Sequence, residues 1–359
     1  MPLPRLKIGQ VESEYPIIQG GMGVGVSGGR LSAAVSEAGG IGIIATVAWG
    51  LNSKYFRGPS SYREANRLAL SDELRHAFAA SRVGNIGTNC MVAITDYESM
   101  VRTSLEGGAK IIISGAGLPL MLPSYAADFP SAALVPIVST AKAAVLIVRR
   151  WERTHKRIPD ALVVETPNTA GGHLGASYED VGREELSLEV VVPQLKEMLR
   201  TELGMDLPVI AAGGVWDRAD IERMLALGAD GVQMATRFVC TEECDAPLAF
   251  KEVYIASSEE DVGLVRSPVG LPGRGVRTAF VRCLERGEYA EDEGCFVHCL
   301  HKCSYREAGT GFCIAKALQR SKAGDKNRGL FFSGSNAYRC KSITTVRRIF
   351  QELTAEDGA

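Results

Sequence analysis

Eight short, almost continuously apolar runs punctuate the first two thirds of the chain: Pro16–Gln19, Ile41–Ala45, Val83–Asn89, Lys110–Ser114, Leu134–Val138, Ala161–Glu165, Leu207–Ala212 and Asp230–Met234. Each has the length of a strand, and their apolarity suits parallel strands covered on both faces. Between them, apolar residues recur at three and four over Leu31–Ala38, Tyr62–Ala80, Asp96–Glu106, Ala141–His155, Leu186–Leu203 and Arg218–Leu227, which predicts helices. Several of these stop on glycine, as at Gly107-Gly108 and Gly228. Strand and helix alternating through eight strands in about 240 residues is the count and size of an α/β-class (β/α)8 TIM barrel. A doubly wound sheet is the rival arrangement, but no fingerprint-led nucleotide domain stands apart to support it.

Beyond Ala246 the alternation fails. Residues 1–258 therefore read as the barrel. Residues 259–359 read as an irregular, cysteine-rich C-terminal extension packed on it, closing with a helix over Ile343–Leu353. Composition narrows the class further. With 46% hydrophobic and 23% charged residues and a net charge of −2, the chain is neither disordered nor a nucleic-acid binder by bulk electrostatics. No apolar run reaches the ~18 residues of a membrane helix, and Met1–Gln10 has no apolar signal core. Nine cysteines, an odd and unevenly placed set, suit a reducing cytoplasm better than a disulfide framework.

Function in a barrel sits where strands end at their C-terminal side. After the first run, Gly20-Gly21-Met22-Gly23-Val24-Gly25 holds four glycines, which let backbone lie flat against a ligand or simply make a turn. The third run ends in Asn89, able to donate and accept at a heterocycle edge. The seventh and eighth end in Gly213-Gly214 and Gln233-Met234-Ala235-Thr236. Loops at those two places form the usual phosphate site of the fold from backbone N–H groups, the alternative being two tight turns. After the sixth run comes Gly171-Gly172-His173-Leu174-Gly175. Small neighbours leave this imidazole open to a ligand, and histidine suits proton transfer near neutral pH; the plainer reading is a histidine satisfied within its loop.

Taken in order, Ile17–Gly23, Ser114–Leu120, Gly171–Gly175, Ala212–Val215 and Gln233–Phe238 resemble the nitronate monooxygenase family, formerly 2-nitropropane dioxygenase, which also includes the flavin-dependent enoyl-acyl-carrier-protein reductases. The resemblance spans residues 15–250 and implies a TIM barrel that binds FMN non-covalently. It places Gly21, Met22 and Gly23 along the isoalloxazine, Asn89 at its polar edge and Gly175 close to the cofactor. Gly213, Gly214, Gln233, Met234, Ala235 and Thr236 would cradle the phosphate, and His173 would be the catalytic base. Ala235 stands where members often carry glycine, and Glu165–Thr169 is more polar than the family leads one to expect.

Three further features stand outside that pattern. Cys295, Cys299, Cys303 and Cys313 fall within nineteen residues, and a helical stretch would stack three of them on one face. They suit a [4Fe–4S] cluster, or zinc with His298 or His301 substituting for a thiol, or buried thiols. Lys142, after the fifth run, either balances charge on reduced flavin or is a solvated lysine at a helix start. From Arg320 to Arg348 there are eight basic residues and one acidic residue, Asp325. That run either meets a phosphorylated carrier or pyridine nucleotide or is a solvated face. Gly334–Arg339 is placed to turn back to the barrel mouth.

Three functions fit. The first is FMN-dependent oxidative denitrification of alkyl nitronates with O2. The second is an NAD(P)H-dependent flavin reductase acting on an enoyl thioester or quinone, which an iron–sulfur cluster would favour. The third is a non-catalytic flavin or phosphate-ligand binder, which an exposed histidine in a glycine frame argues against. The expected partners are a small-molecule substrate, NAD(P)H in the second reading, and a second copy of the chain in a homodimer.

Overall fold

A computed structural model describes residues 2–288 and 294–355. The eight strands Ile17–Gln19, Ile41–Ala45, Ile86–Met91, Ile111–Gly115, Ala133–Val138, Leu162–Glu165, Val209–Ala212 and Gly231–Met234 form a closed parallel barrel. Closure is made by the eighth strand pairing with the first, Val232 opposite Ile17 and Met234 opposite Gln19. Alternation along each strand sorts the side chains. Ile18, Ile41, Ile43, Ile111, Ile113, Val135, Val163 and Ile210 fill the interior. Ile44, Ile112, Leu134, Leu162, Val164 and Val209 face outward onto the helices. The barrel is thus a packed core below and a site above.

A hairpin of Leu6–Ile8 and Val11–Ser13 precedes the barrel, turning at Gly9 with φ +58°. Its Leu6, Ile8 and Val11 join the interior cluster, and Gly9 lies against Ala133 and Asp160 at strand beginnings. The hairpin therefore stoppers the N-terminal end and leaves the other end free for function.

The helices Tyr62–Ala80 and Ala141–His155 have the bounds their periodicity predicts. Others shift by one to three residues: Asp96 precedes the helix Tyr97–Glu106, and the last helix begins at Val346, where the Thr345 hydroxyl accepts from the Arg348 N–H. The third strand starts at Ile86 rather than Val83, because Gly84 turns at φ +65° and Val83 points to solvent. The eighth barrel helix, Leu248–Ile255, has no clear sequence signal. Its apolar face is interrupted by a buried lysine, Lys251, whose ammonium donates to the Thr241 and Cys244 carbonyls at 2.6 and 3.0 Å.

The chain beyond residue 258 is more regular than its sequence suggests. Val262–Arg266 and Pro272–Val276 pair antiparallel, and Phe331–Phe332 and the short strand Gly172–His173 both pair with Pro272–Val276. Helices Ala279–Arg286, Ser304–Ala308 and Ile314–Lys322 follow the hairpin. No helix among the described residues is long and apolar enough to cross a membrane.

Candidate active site

At the C-terminal end of the strands a cavity opens whose wall is supplied by nearly every βα loop. Gly20–Gly23, Asn89, Glu165, Thr169–His173, Ala212–Trp216 and Gln233–Thr236 line it, and so do Phe332–Asn336 from far along the chain. The glycines are demanded by close approach. A Cβ on Gly21 would lie 2.5 Å from the Asn89 Cβ. Gly213 and Gly214 take φ +104° and +77°, and a Cβ on them would meet Thr166 and Thr169 at 2.9 and 2.8 Å. The result is a shelf of bare backbone on one side and a pair of tight turns on another.

Gly334–Asn336 does turn back to the mouth. The Gly334 N–H donates to the Thr236 hydroxyl at 2.9 Å, the Ser335 N–H to the Thr169 carbonyl at 3.0 Å, and the Asn336 amide to the Gly214 carbonyl at 2.7 Å. This segment ties the loops after strands six, seven and eight into one wall. Beside it, Trp216 is held between two guanidiniums, with Arg237 and Arg339 at 4.6 and 5.1 Å from its ring centre.

Two buried polar atoms of this wall, Gln233 Oε1 and Ser333 Oγ, have no hydrogen-bond partner among the described residues. Buried polar atoms are almost always satisfied, so such orphans at a cavity point to a ligand that completes them. The Asn89 side-chain amide likewise has no partner among the described residues. Two glycine turns fit a phosphate, and the acceptor Gln233 Oε1, the Ser333 hydroxyl and an amide at a strand end fit the O–H and N–H groups of a flavin mononucleotide.

His173 and Glu165 are two titratable side chains of the cavity lining. His173 Nε2 lies 2.9 Å from Ser267 Oγ, and the imidazole meets Phe332 edge-on at 4.9 Å. Burial holds its pKa down at about 4, so the ring is neutral at pH 7. Glu165, the last residue of the sixth strand, has no hydrogen bond or ion pair among the described residues, and burial pushes its carboxyl up to about 7. Its role is not apparent from sequence pattern. The available signal is an acidic residue ending a strand that is buried on both faces.

Not every expected residue reaches the cavity. Lys142 is the second residue of its helix and points to solvent. Gly175 lies beside the Ser139 hydroxyl, outside the lining. The four cysteines do not share a helix face. Cys295 and Cys299 lie in a loop, Cys303 precedes Ser304–Ala308, and Cys313 precedes Ile314–Lys322. The cause is local: His298 takes φ +49°, and Gly309 and Gly311 take +66° and +87°, each ending any helix there. The segment instead lies along the loop after strand three, where the Thr95 N–H donates to the Cys299 carbonyl at 3.1 Å and the His301 N–H to the Ala93 carbonyl at 3.0 Å. Burial, with the neighbouring Cys313, Cys303 and Cys295 thiols, pushes Cys299 up to about 12. Among the described residues no three His, Cys, Asp or Glu side chains are placed to share a metal ion. The described residues therefore lend no support to the iron–sulfur or zinc site that the cysteine spacing suggests.

With that geometry in hand, the comparison with known proteins is direct. The family profile described as nitronate monooxygenase matches residues 5–356. The chain belongs to that family. Like the family, it is a flavin-dependent oxidoreductase. A "probable nitronate monooxygenase" of Staphylococcus saprophyticus is 24% identical over 314 residues, covering 81% of this chain and 83% of that one. A Mycobacterium tuberculosis protein named (3aS,4S,5R,7aS)-5-hydroxy-7a-methyl-1-oxo-octahydro-1H-indene-4-carboxyl-CoA dehydrogenase is 28% identical over 280 residues, covering 77% of this chain. The chain spans about two thirds of the length of such dehydrogenases. Among solved structures, FabK from Thermotoga maritima superposes with a TM-score of 0.69 at 26% identity, covering 95% of this chain and 92% of that one.

Proposed function

We propose that this enzyme oxidises alkyl nitronates with O2 by oxidative denitrification, using non-covalently bound FMN. The observation that carries the reading is the half-buried His173 in one cavity with a glycine shelf and an unsatisfied amide and hydroxyl. Gly21, Met22 and Gly23 would lie along the flavin ring and Asn89 at its polar edge. Gly213, Gly214, Gln233, Met234, Ala235 and Thr236 would hold the phosphate, closed over by Gly334–Asn336. The bound flavin supplies the electron acceptor. A phosphate cradle built from two turns, with no Gly-rich dinucleotide fingerprint elsewhere, favours FMN over FAD.

The side chains favour the nitronate over the neutral nitroalkane. An imidazole with a pKa near 4 is a weak base for a C–H proton, so a substrate that arrives already ionised suits the site. His173 stands in the same cavity and offers its free ring nitrogen to a proton. Glu165 acts in the same space. Below pH 7 it is neutral and donates a hydrogen bond; above pH 7 it ionises and places a negative charge beside a negative substrate. The expected result is that kcat/KM for a nitronate falls as pH rises through about 7. Glu165→Gln, which stays neutral, should flatten that limb. An unchanged limb in the variant assigns the ionisation elsewhere.

A reductase reading is favoured by the apolar flank of the cavity, where Val26, Val239, Phe250, Leu318 and Leu330 would suit an acyl or fused-ring body. In that reading NAD(P)H supplies the electrons and an enoyl thioester or quinone takes them. Anaerobic mixing of the flavin-loaded protein with a nitronate, NADH and NADPH in parallel separates the two. Bleaching by the nitronate alone supports the first, and bleaching by a nicotinamide alone the second. Chromatography of the flavin released on denaturation identifies FMN or FAD.

A further inference from the structure

His173 is carried by no barrel strand. It sits on the two-residue strand Gly172–His173, which a hairpin from beyond the barrel holds from outside. His173 pairs with Gly273, and the Leu174 N–H donates to the Pro272 carbonyl at 2.8 Å. Arg274, buried in the same strand, donates through one nitrogen to the Pro167 and Ala170 carbonyls at 2.9 and 2.6 Å, fixing the loop that leads to His173. Where the hairpin turns, the Ser267 hydroxyl lies 2.9 Å from His173 Nε2 and accepts from the Val269 N–H at 3.4 Å.

We propose that Ser267 is a positioning residue: its hydroxyl oxygen accepts from the His173 Nε2–H, which makes Nδ1 the ring nitrogen that serves the reaction. The inference rests on the functional reading above. A serine hydroxyl has one hydrogen and two lone pairs. With one lone pair directed to the Val269 N–H, the other is open to an imidazole N–H. A neutral imidazole has one protonated nitrogen, and the partner of that nitrogen decides the tautomer. Phe332, edge-on at 4.9 Å, packs against the ring. The charged groups around the ring are accounted for. Arg274 is engaged with two carbonyls, Arg266 stacks over Tyr178 at 4.9 Å, and Glu165 shares the cavity.

The sign of the pH effect follows. An acceptor on Nε2–H favours the imidazolium as well as the Nε2–H tautomer. Removing it moves the ring's titration to lower pH and lets the proton divide between the two nitrogens.

The test uses the flavin-loaded enzyme labelled with 15N on its five histidines, with His173→Ala to assign the signal. The wild type should carry the His173 proton on Nε2. Ser267→Ala should mix the tautomers and shift the acid limb of kcat/KM to lower pH. It should also cost roughly tenfold in kcat with little change in KM, less than the ~10²–10⁴-fold of losing the imidazole. Ser267→Thr should restore all three, and Ser267→Val, its near-isostere without a hydroxyl, should not. A wild-type ring protonated on Nδ1 overturns the proposal without recourse to any variant. So does a Ser267→Ala enzyme with the wild-type tautomer and pH profile, or a loss that Thr fails to rescue. If no nitronate is turned over, the tautomer measurement still decides the role of Ser267, and only the functional reading fails.

Discussion

His173→Ala is expected to reduce turnover by ~10²–10⁴-fold while leaving the flavin in place. The imidazole makes one hydrogen bond, to Ser267, and one ring contact, to Phe332. The backbone pairing of Gly172–His173 with Gly273 and Arg274 survives the substitution. Its neighbours Gly171 and Gly172 contribute no side chain that packs on it. Flavin content and melting temperature should therefore stay near wild type, and the loss should appear in the reaction with every substrate the enzyme accepts. Near-normal turnover in the variant would remove His173 from the chemistry.

The second large effect is expected at the phosphate turns. Gly213→Ala places a methyl group 2.9 Å from Thr166 Cγ2 and 3.1 Å from the Ala170 backbone nitrogen, at φ +104°. That backbone region is costly for any residue with a Cβ, by roughly 1–3 kcal/mol. Relief requires the turn to open, and an opened turn no longer presents its N–H groups to a phosphate. Since each 1.4 kcal/mol is tenfold in affinity, FMN should bind about 10²-fold more weakly, measured by titrating apoprotein against flavin fluorescence. Gly204→Ala offers the control: it also has positive φ, at +63°, but ends a helix on the outer face with nothing within 4 Å. It should leave affinity unchanged. Equal flavin affinity in the Gly213 variant would show that the turn does not contact the phosphate.

The barrel was legible because its signals are local. Runs such as Ile41–Ala45 are buried at every position, and such runs alternate with helices of period 3.6. The glycines at 20–23 and 213–214 and the frame around His173 were legible for the same reason. Three things were not. Glu165 is one polar residue at the end of a strand, and only the enclosure above it makes it titrate near neutrality. The cysteine spacing implied a helix, but positive-φ positions at His298, Gly309 and Gly311 forbid one, and no local count of cysteines reveals that. The return of Gly334–Arg339 to the mouth was legible, but the partners it finds there, Gly334 to Thr236 and Ser335 to Thr169, lie about 100–165 positions away in sequence and were not. Lys142 failed for a geometric reason: the second position of its helix faces away from the barrel axis.

The wall of the cavity is stitched from Gly20 near the start of the chain and Asn336 near its end. Residues more than 300 positions apart must both be in place before that wall exists. A nascent barrel that has all eight strands still lacks the strip that closes the turns after strands six, seven and eight. A flavin held by that wall would therefore be expected to bind only after the eight strands have been made. The same arrangement makes the closing strip a natural quality checkpoint. A chain clipped or stalled before residue 333 keeps its barrel strands yet lacks the strip that would retain a flavin.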